Sequence, residues 1–312
     1  MSGTRRVMFL SLFRCTVCAL CAVACFGGTE EWNWNFVEKY GGRMLSVEPP
    51  IAVLENFLTR DELEHLKNAG SSFLKPAETS GKAGVATRTS FSHFLTEHEA
   101  DHSVVKNLRR RLVAFLRDTP LVRREGGIFS LEKDQQFESL QIQRYLPGER
   151  YDPHFDFSVN VKTLNFRAVT ILMYLSTIEL GNGGETIFPL VEENMNLSEN
   201  EVPYAASSNL KKTSCSRGIS CDHSNFTFFK SMPHCCCSES LKVRPIAGRS
   251  VVFFPRLSNG ESDKRTWHGA CPVVSGTKFT AQQWIHSPEI ARFVTSATKD
   301  VQGLFTEMKD QL

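Results

Sequence analysis

The chain has 312 residues, of which 41% are hydrophobic and 22% charged, a composition that supports one sizeable buried core. Its formal net charge of +2 lacks the basic excess of a protein that neutralises phosphates, which argues against nucleic acid as a partner.

Residues 1–28 carry Arg5 and Arg6 ahead of an apolar run and read either as a cleaved signal peptide or as a signal anchor. The run is long enough to span a bilayer, while Ala22, Val23 and Ala24 offer small residues for cleavage. A polar linker is expected over 29–45 and a strand over 46–58, followed by a helix. Thr59 is the expected helix cap, with Glu62 closing a capping box. A polar loop over 81–92 precedes a second helix over 101–117, where Val104, Val105, Leu108, Leu112, Val113 and Leu116 recur at helical spacing.

From residue 140 the periodicity becomes that of strands, with segments expected over 140–145, 167–176, 250–254 and 277–285, separated by glycine and proline. Helices followed by many strands predict an α+β fold, a double-stranded β-helix (jelly roll) backed by N-terminal helices, filling residues 46–286. Residues 191–240 are polar and cysteine-rich and read as a surface insertion; residues 287–312 are expected as a helical tail.

The cysteines fall into two groups. Cys15, Cys18, Cys21 and Cys25 lie in the targeting segment, and Cys215, Cys221, Cys235, Cys236, Cys237 and Cys271 lie beyond it. In an oxidising lumen the second group is expected to form disulfides of unassigned pairing, with zinc at Cys235 to Cys237 as the alternative. Sequons at Asn196 and Asn225 and the C-terminal Lys309-Asp310-Gln311-Leu312, one residue from a retrieval signal, agree with the lumen or membrane of the endoplasmic reticulum and with a glycoprotein.

In Tyr151-Asp152-Pro153-His154-Phe155-Asp156, the imidazole of His154 and the carboxylate of Asp156 stand two positions apart, so a strand aims both from one face. His268 supplies a third ligand. Two histidines and one carboxylate form the facial triad of non-haem iron(II) oxygenases, which leaves coordination positions open. Those positions suit 2-oxoglutarate and dioxygen. Lys278 is placed to anchor the far carboxylate of the co-substrate, and Tyr145 and Thr186 to add hydrogen bonds.

The run from Gln141 through Tyr145, Pro147, Gly148, Tyr151 and His154 to Asp156 resembles the metal-binding segment of prolyl 4-hydroxylases, especially those of plants and algae. Arg167 to Ser176, Gly183-Gly184-Glu185-Thr186, His268-Gly269-Ala270-Cys271-Pro272-Val273 and Gly276-Thr277-Lys278 through Trp284 and His286 are similar to the family's later stretches. The resemblance implies iron(II) at His154, Asp156 and His268, and 2-oxoglutarate at Lys278, Thr186 and Tyr145. It implies dioxygen and ascorbate as further cofactors. It also places Tyr151, Arg167, Trp284 and His286 against a peptide, with Arg167 and His286 as catalytic residues and Tyr151 and Trp284 binding substrate.

The activity so implied is 4-hydroxylation of peptidyl proline in proline-rich or collagen-like segments, whose polyproline-II shape suits aromatic side chains. The same iron site also admits another peptide residue or a small molecule as target, and a lumenal module that only binds proline-rich chains is the reading from a different class.

Overall fold

The computed structural model describes residues 34–77, 87–119, 137–156, 167–192, 235, 240–256 and 262–286. Helix α1 (Phe36–Lys39) and strands β1 (Gly42–Ser46) and β2 (Ile51–Leu54) come first, followed by helix α2 (Arg60–Ser71) and strands β3 (Lys75–Pro76) and β4 (Phe91–Phe94). Two more helices, α3 (Glu97–Ala100) and α4 (Ser103–Arg117), precede β5 (Gln141–Tyr145), β6 (Tyr151–His154) and β7 (Arg167–Tyr174). The remaining strands are β8 (Thr186–Glu192), β9 (Ser240–Val243), β10 (Ser250–Phe253), β11 (His268–Ala270) and β12 (Lys278–His286).

The strands form an eight-stranded sheet in the order β1-β2-β10-β7-β12-β5-β4-β3 and a four-stranded sheet in the order β6-β11-β8-β9. From β5 onward the chain passes repeatedly from one sheet to the other: β5, β7, β10 and β12 lie in the large sheet, and β6, β8, β9 and β11 in the small one. That winding is the double-stranded β-helix expected from the sequence. Val53, Leu172 and Phe253 from the large sheet pack with Phe188, Leu241 and Val243 from the small one. Each such buried side chain contributes roughly 1.5–3 kcal/mol.

Helix α2 packs against β4 and β5 of the large sheet. Thr59 caps α2 and Glu62 closes the box, its carboxylate receiving the Thr59 N–H at 2.9 Å. The Glu62 carboxylate also pairs with Arg111 of α4 at 2.7 and 2.8 Å, tying the two helices together. Gly70 brings α2 close to β5: a Cβ there would lie 2.3 Å from Ile142 Cγ2.

Two expectations differ from what is observed. The linker over 29–45 is folded from Trp34 onward: Trp34, Val37 and Leu45 are buried, and β1 pairs with β2. Its charged residues disguise apolar positions spaced for one short helix and one strand. The helix expected over 101–117 is present as α4, capped by His102 through Nδ1, and the short helix α3, with its Thr96 and Glu99 capping box, precedes it. The loop expected over 81–92 ends earlier, since Phe91 and Ser92 belong to β4.

Within the expected insertion, Cys235 forms a disulfide with Cys271, immediately after β11. This pairing uses one of the cysteines of the zinc alternative. Residues 1–33, both sequons and the tail over 287–312 lie outside the described residues.

Candidate metal and co-substrate site

β6 and β11 are antiparallel neighbours, and their register sets His154 directly opposite His268. The two imidazole centroids are 4.5 Å apart. Asp156 was expected to share a strand face with His154. Instead β6 stops at His154, and Asp156 sits in a bend just beyond it. Hydrogen bonds, not strand alternation, turn its carboxylate inward: Oδ2 accepts from the Thr170 hydroxyl at 2.8 Å, Trp284 Nε1 at 3.0 Å and Gln282 Nε2 at 3.3 Å.

The ligand atoms of His154, Asp156 and His268 lie within 4.8 Å of one another. Each imidazole is held in one tautomer. His154 Nδ1 faces the Asp152 carbonyl at 3.0 Å, and His268 Nδ1 faces the Thr266 carbonyl at 2.9 Å. A carbonyl oxygen only accepts, so Nδ1 carries the proton and Nε2 is left as the ligand atom. Burial lowers His268 to about 4, against the opposing charge of Asp156, so its ring is neutral at neutral pH. Burial by itself would push the Asp156 carboxyl up, but His268, His154 and Arg167 hold it well below the usual carboxylate range. Two imidazole nitrogens and one carboxylate oxygen are the donor set that suits iron(II) with open positions.

Alternate residues of β12 face this site. Lys278, Thr280 and Gln282 line a cavity with Tyr145, Tyr151, Thr186, His154 and His268. Lys278 is 1% exposed, and its Nζ lies 5.1 Å from the Tyr145 ring centroid and 5.7 Å from that of Tyr174. Among the described residues it makes no hydrogen bond, and burial pulls its ammonium down to about 7, opposed only in part by the charge of Glu185. A buried cation without hydrogen-bonded acceptors is costly, and an organic carboxylate beside it removes that cost. The cavity therefore fits 2-oxoglutarate.

Thr186 Oγ1 accepts the Tyr174 hydroxyl at 2.8 Å, which leaves the threonine's own proton free to donate. Tyr145 donates its hydroxyl to Gln143 Oε1 at 2.8 Å.

The four residues assigned to a peptide cluster around the same centre. Tyr151 stacks on His154 with centroids 3.7 Å apart, carries the Arg88 guanidinium 4.6 Å from its own centroid, and is pushed up to about 12 by burial. The Arg167 guanidinium lies 3.8 Å from the Trp284 ring centroid and pairs with Glu138 at 2.5 and 2.7 Å. His286 Nε2 contacts the same carboxylate at 2.5 Å. Burial pushes Glu138 up, but Arg167 and His286 outweigh it and hold the carboxyl below its ordinary value. Trp284 is only 6% exposed, so its edge serves Asp156 and its face serves Arg167.

Glu138, Gln143, Thr170 and Gln282 were not anticipated from the sequence. A signal for Gln282 was present, since steps of two from Lys278 along a strand give Thr280, Gln282, Trp284 and His286. Glu138 had none, because it precedes β5 outside any periodic segment.

A family model for the 2OG-Fe(II) oxygenase superfamily matches residues 140–286. Probable prolyl 4-hydroxylase 7 of Arabidopsis thaliana is 29% identical over 256 residues, spanning 80% of this chain and 66% of that protein. Prolyl 4-hydroxylase 5 of the same plant is 30% identical over 271 residues, spanning 84% of this chain and 75% of that protein. The solved viral collagen prolyl hydroxylase of Paramecium Bursaria Chlorella virus-1, in its 2OG complex, is 22% identical with a TM-score of 0.49, covering 76% of this chain and 96% of that one. By the extent of these sequence matches, the chain belongs to the prolyl 4-hydroxylase family of 2OG-Fe(II) oxygenases.

Proposed function

We propose that the protein is an Fe(II)- and 2-oxoglutarate-dependent dioxygenase that hydroxylates peptidyl proline at the 4-position in secretory-pathway proteins, converting 2-oxoglutarate to succinate and CO2. The observation that carries this reading is the convergence of His154, Asp156 and His268 within 4.8 Å, in a cavity shared with the buried Lys278. Iron(II), with 2-oxoglutarate and dioxygen bound, supplies the oxidising power to insert oxygen into an unactivated C–H bond, with ascorbate as accessory reductant.

The side chains bind and orient. His154, Asp156 and His268 would hold the metal on one side and leave the cavity side for the co-substrate. Lys278 would take its far carboxylate as a charge-assisted hydrogen bond, and Thr186 would donate to the same group. Tyr145 walls that end of the cavity. Glu138 fixes Arg167 and His286 beside Trp284, so the remaining Arg167 N–H groups are oriented to donate to a peptide carbonyl before substrate arrives. Tyr151, with His154 and Arg88 against its ring, would offer its remaining edge to a proline close to the metal.

The N-terminal segment, the two sequons and the C-terminal tetrapeptide support the lumen or membrane of the endoplasmic reticulum. The Cys235–Cys271 disulfide supports an oxidising compartment too. Succinate release with proline-rich peptides, iron(II) and ascorbate tests the activity. Peptide-dependent succinate that disappears in Asp156→Ala is expected; peptide-independent turnover would remove the substrate assignment. A gel shift on endoglycosidase treatment tests the compartment.

A further inference from the structure

The hydrogen bonds around Asp156 have a fixed direction. The indole nitrogen of Trp284 can only donate, so Asp156 Oδ2 is an acceptor, and Gln282 must turn its amide NH2 towards it. The Gln282 carbonyl then faces Gln143 and needs a donor. Gln143 Nε2 supplies it at 2.7 Å and also donates to Gln141 Oε1 at 2.9 Å. Gln143 Oε1 is left towards Tyr145, whose hydroxyl donates to it at 2.8 Å; the Thr280 hydroxyl stands at 3.5 Å, the edge of bonding range. Gln143, Gln282 and Tyr145 are 3%, 7% and 2% exposed. Reversing either amide would set like groups face to face in a low-dielectric interior, where an unmatched polar group costs most.

We propose that Gln143 and Gln282 are positioning residues that form a one-way hydrogen-bond relay coupling Tyr145, on the co-substrate side of the cavity, to the metal-ligating Asp156. The proposal rests on the metal and co-substrate assignments made above and adds a link between them. While the relay is intact, Gln143 holds the Tyr145 proton, and Arg88 and Ser90 act on the same hydroxyl. A carboxylate bound beside Lys278 gains that proton only by taking it from Gln143. The Gln143 carbonyl is then left with Thr280 alone, and the hold of Gln282 on Asp156 slackens. Events at the co-substrate end are thereby felt at the metal.

Calorimetric titration of Co(II) into the apoprotein, without co-substrate, reads the relay from the metal end. Tyr145→Phe keeps the ring and removes the hydroxyl, and is expected to weaken Co(II) binding about threefold. In a Gln143→Met background, where the relay is already cut, the same substitution is expected to change nothing. Equal losses in both backgrounds, which a purely structural tyrosine would give, overturn the proposal, and so does the absence of any loss in the native background. If Gln143→Met does not fold, Gln282→Leu serves as the second background with the same two outcomes. A native protein that binds no Co(II) would overturn the metal assignment itself, whereas additive losses overturn only the relay.

Discussion

The indole N–H of Trp284 donates to Asp156 Oδ2 at 3.0 Å, so a residue near the end of β12 orients a metal-ligand carboxylate 128 positions earlier in the chain. With Thr170 and Gln282 on the same oxygen, Oδ1 would be the atom left to hold a metal. Trp284→Phe retains most of the ring under Arg167 and removes the donor. Metal affinity is expected to fall about tenfold with little change in folding, the magnitude typical of hydrogen bonds behind metal ligands. Metal titration together with a thermal melt checks both halves.

The proposed role of Lys278 is expected to make co-substrate binding depend on pH. Its unfolded value of 10.5 falls to about 7 in the folded protein, so the folded state releases a proton that the unfolded chain keeps. Burying the lysine therefore costs stability below about pH 7, and that cost fades as pH rises from there towards 10.5. Binding of a carboxylate needs the ammonium form. Affinity of the apoprotein for 2-oxoglutarate in the presence of Co(II) should weaken above about pH 7, by at most about tenfold per pH unit. Lys278→Arg, which stays charged, should flatten this profile even though its geometry is poorer. Calorimetric titration across the pH range decides; a flat native profile contradicts the assignment.

The sequence displayed the chemistry more clearly than the framework that holds it. Strand periodicity, the Thr59 and Glu62 capping box and the candidate set of His154, Asp156 and His268 were legible because each depends on local spacing or on residue types with few alternative uses. The placement of Asp156 was not, since its side chain is turned by Thr170, Gln282 and Trp284 from two other strands. The fold of Trp34 to Ser46 was hidden for a related reason: β1 gains its place by pairing with β2, and Leu45 is the one buried residue in that strand. The Cys235–Cys271 pairing likewise depends on the approach of chain segments 36 residues apart.

Gly70 lies within α2, where helix propensity alone would make Gly70→Ala stabilising by about 1 kcal/mol. The new Cβ would sit 2.3 Å from Ile142 Cγ2 on β5. Overpacking of that kind costs about 1–3 kcal/mol, so net destabilisation is expected. Urea unfolding checks the sign. Weaker 2-oxoglutarate binding should accompany it if β5 shifts, because that strand also carries Gln143 and Tyr145.

Removal of the Cys235–Cys271 bridge by paired serine substitutions frees a loop with a sequence separation of 36. Loop-closure entropy puts the loss at about 4 kcal/mol. Cys271 directly follows β11, whose first residue is His268, so metal affinity should fall along with stability. Denaturant melts and metal titrations of the oxidised native protein and the doubly substituted one check this; unchanged midpoints would contradict it.

The proposed activity uses 2-oxoglutarate at one metal centre to oxygenate peptidyl proline. Reaction with a proline-rich peptide under isotopically labelled dioxygen, followed by mass spectrometry, tests it most directly. One labelled oxygen on proline carbon 4 and one in each succinate are predicted, in equal amounts, with both lost in His268→Ala. Labelled succinate without label in the peptide, or label in the peptide that survives His268→Ala, would rule out this activity.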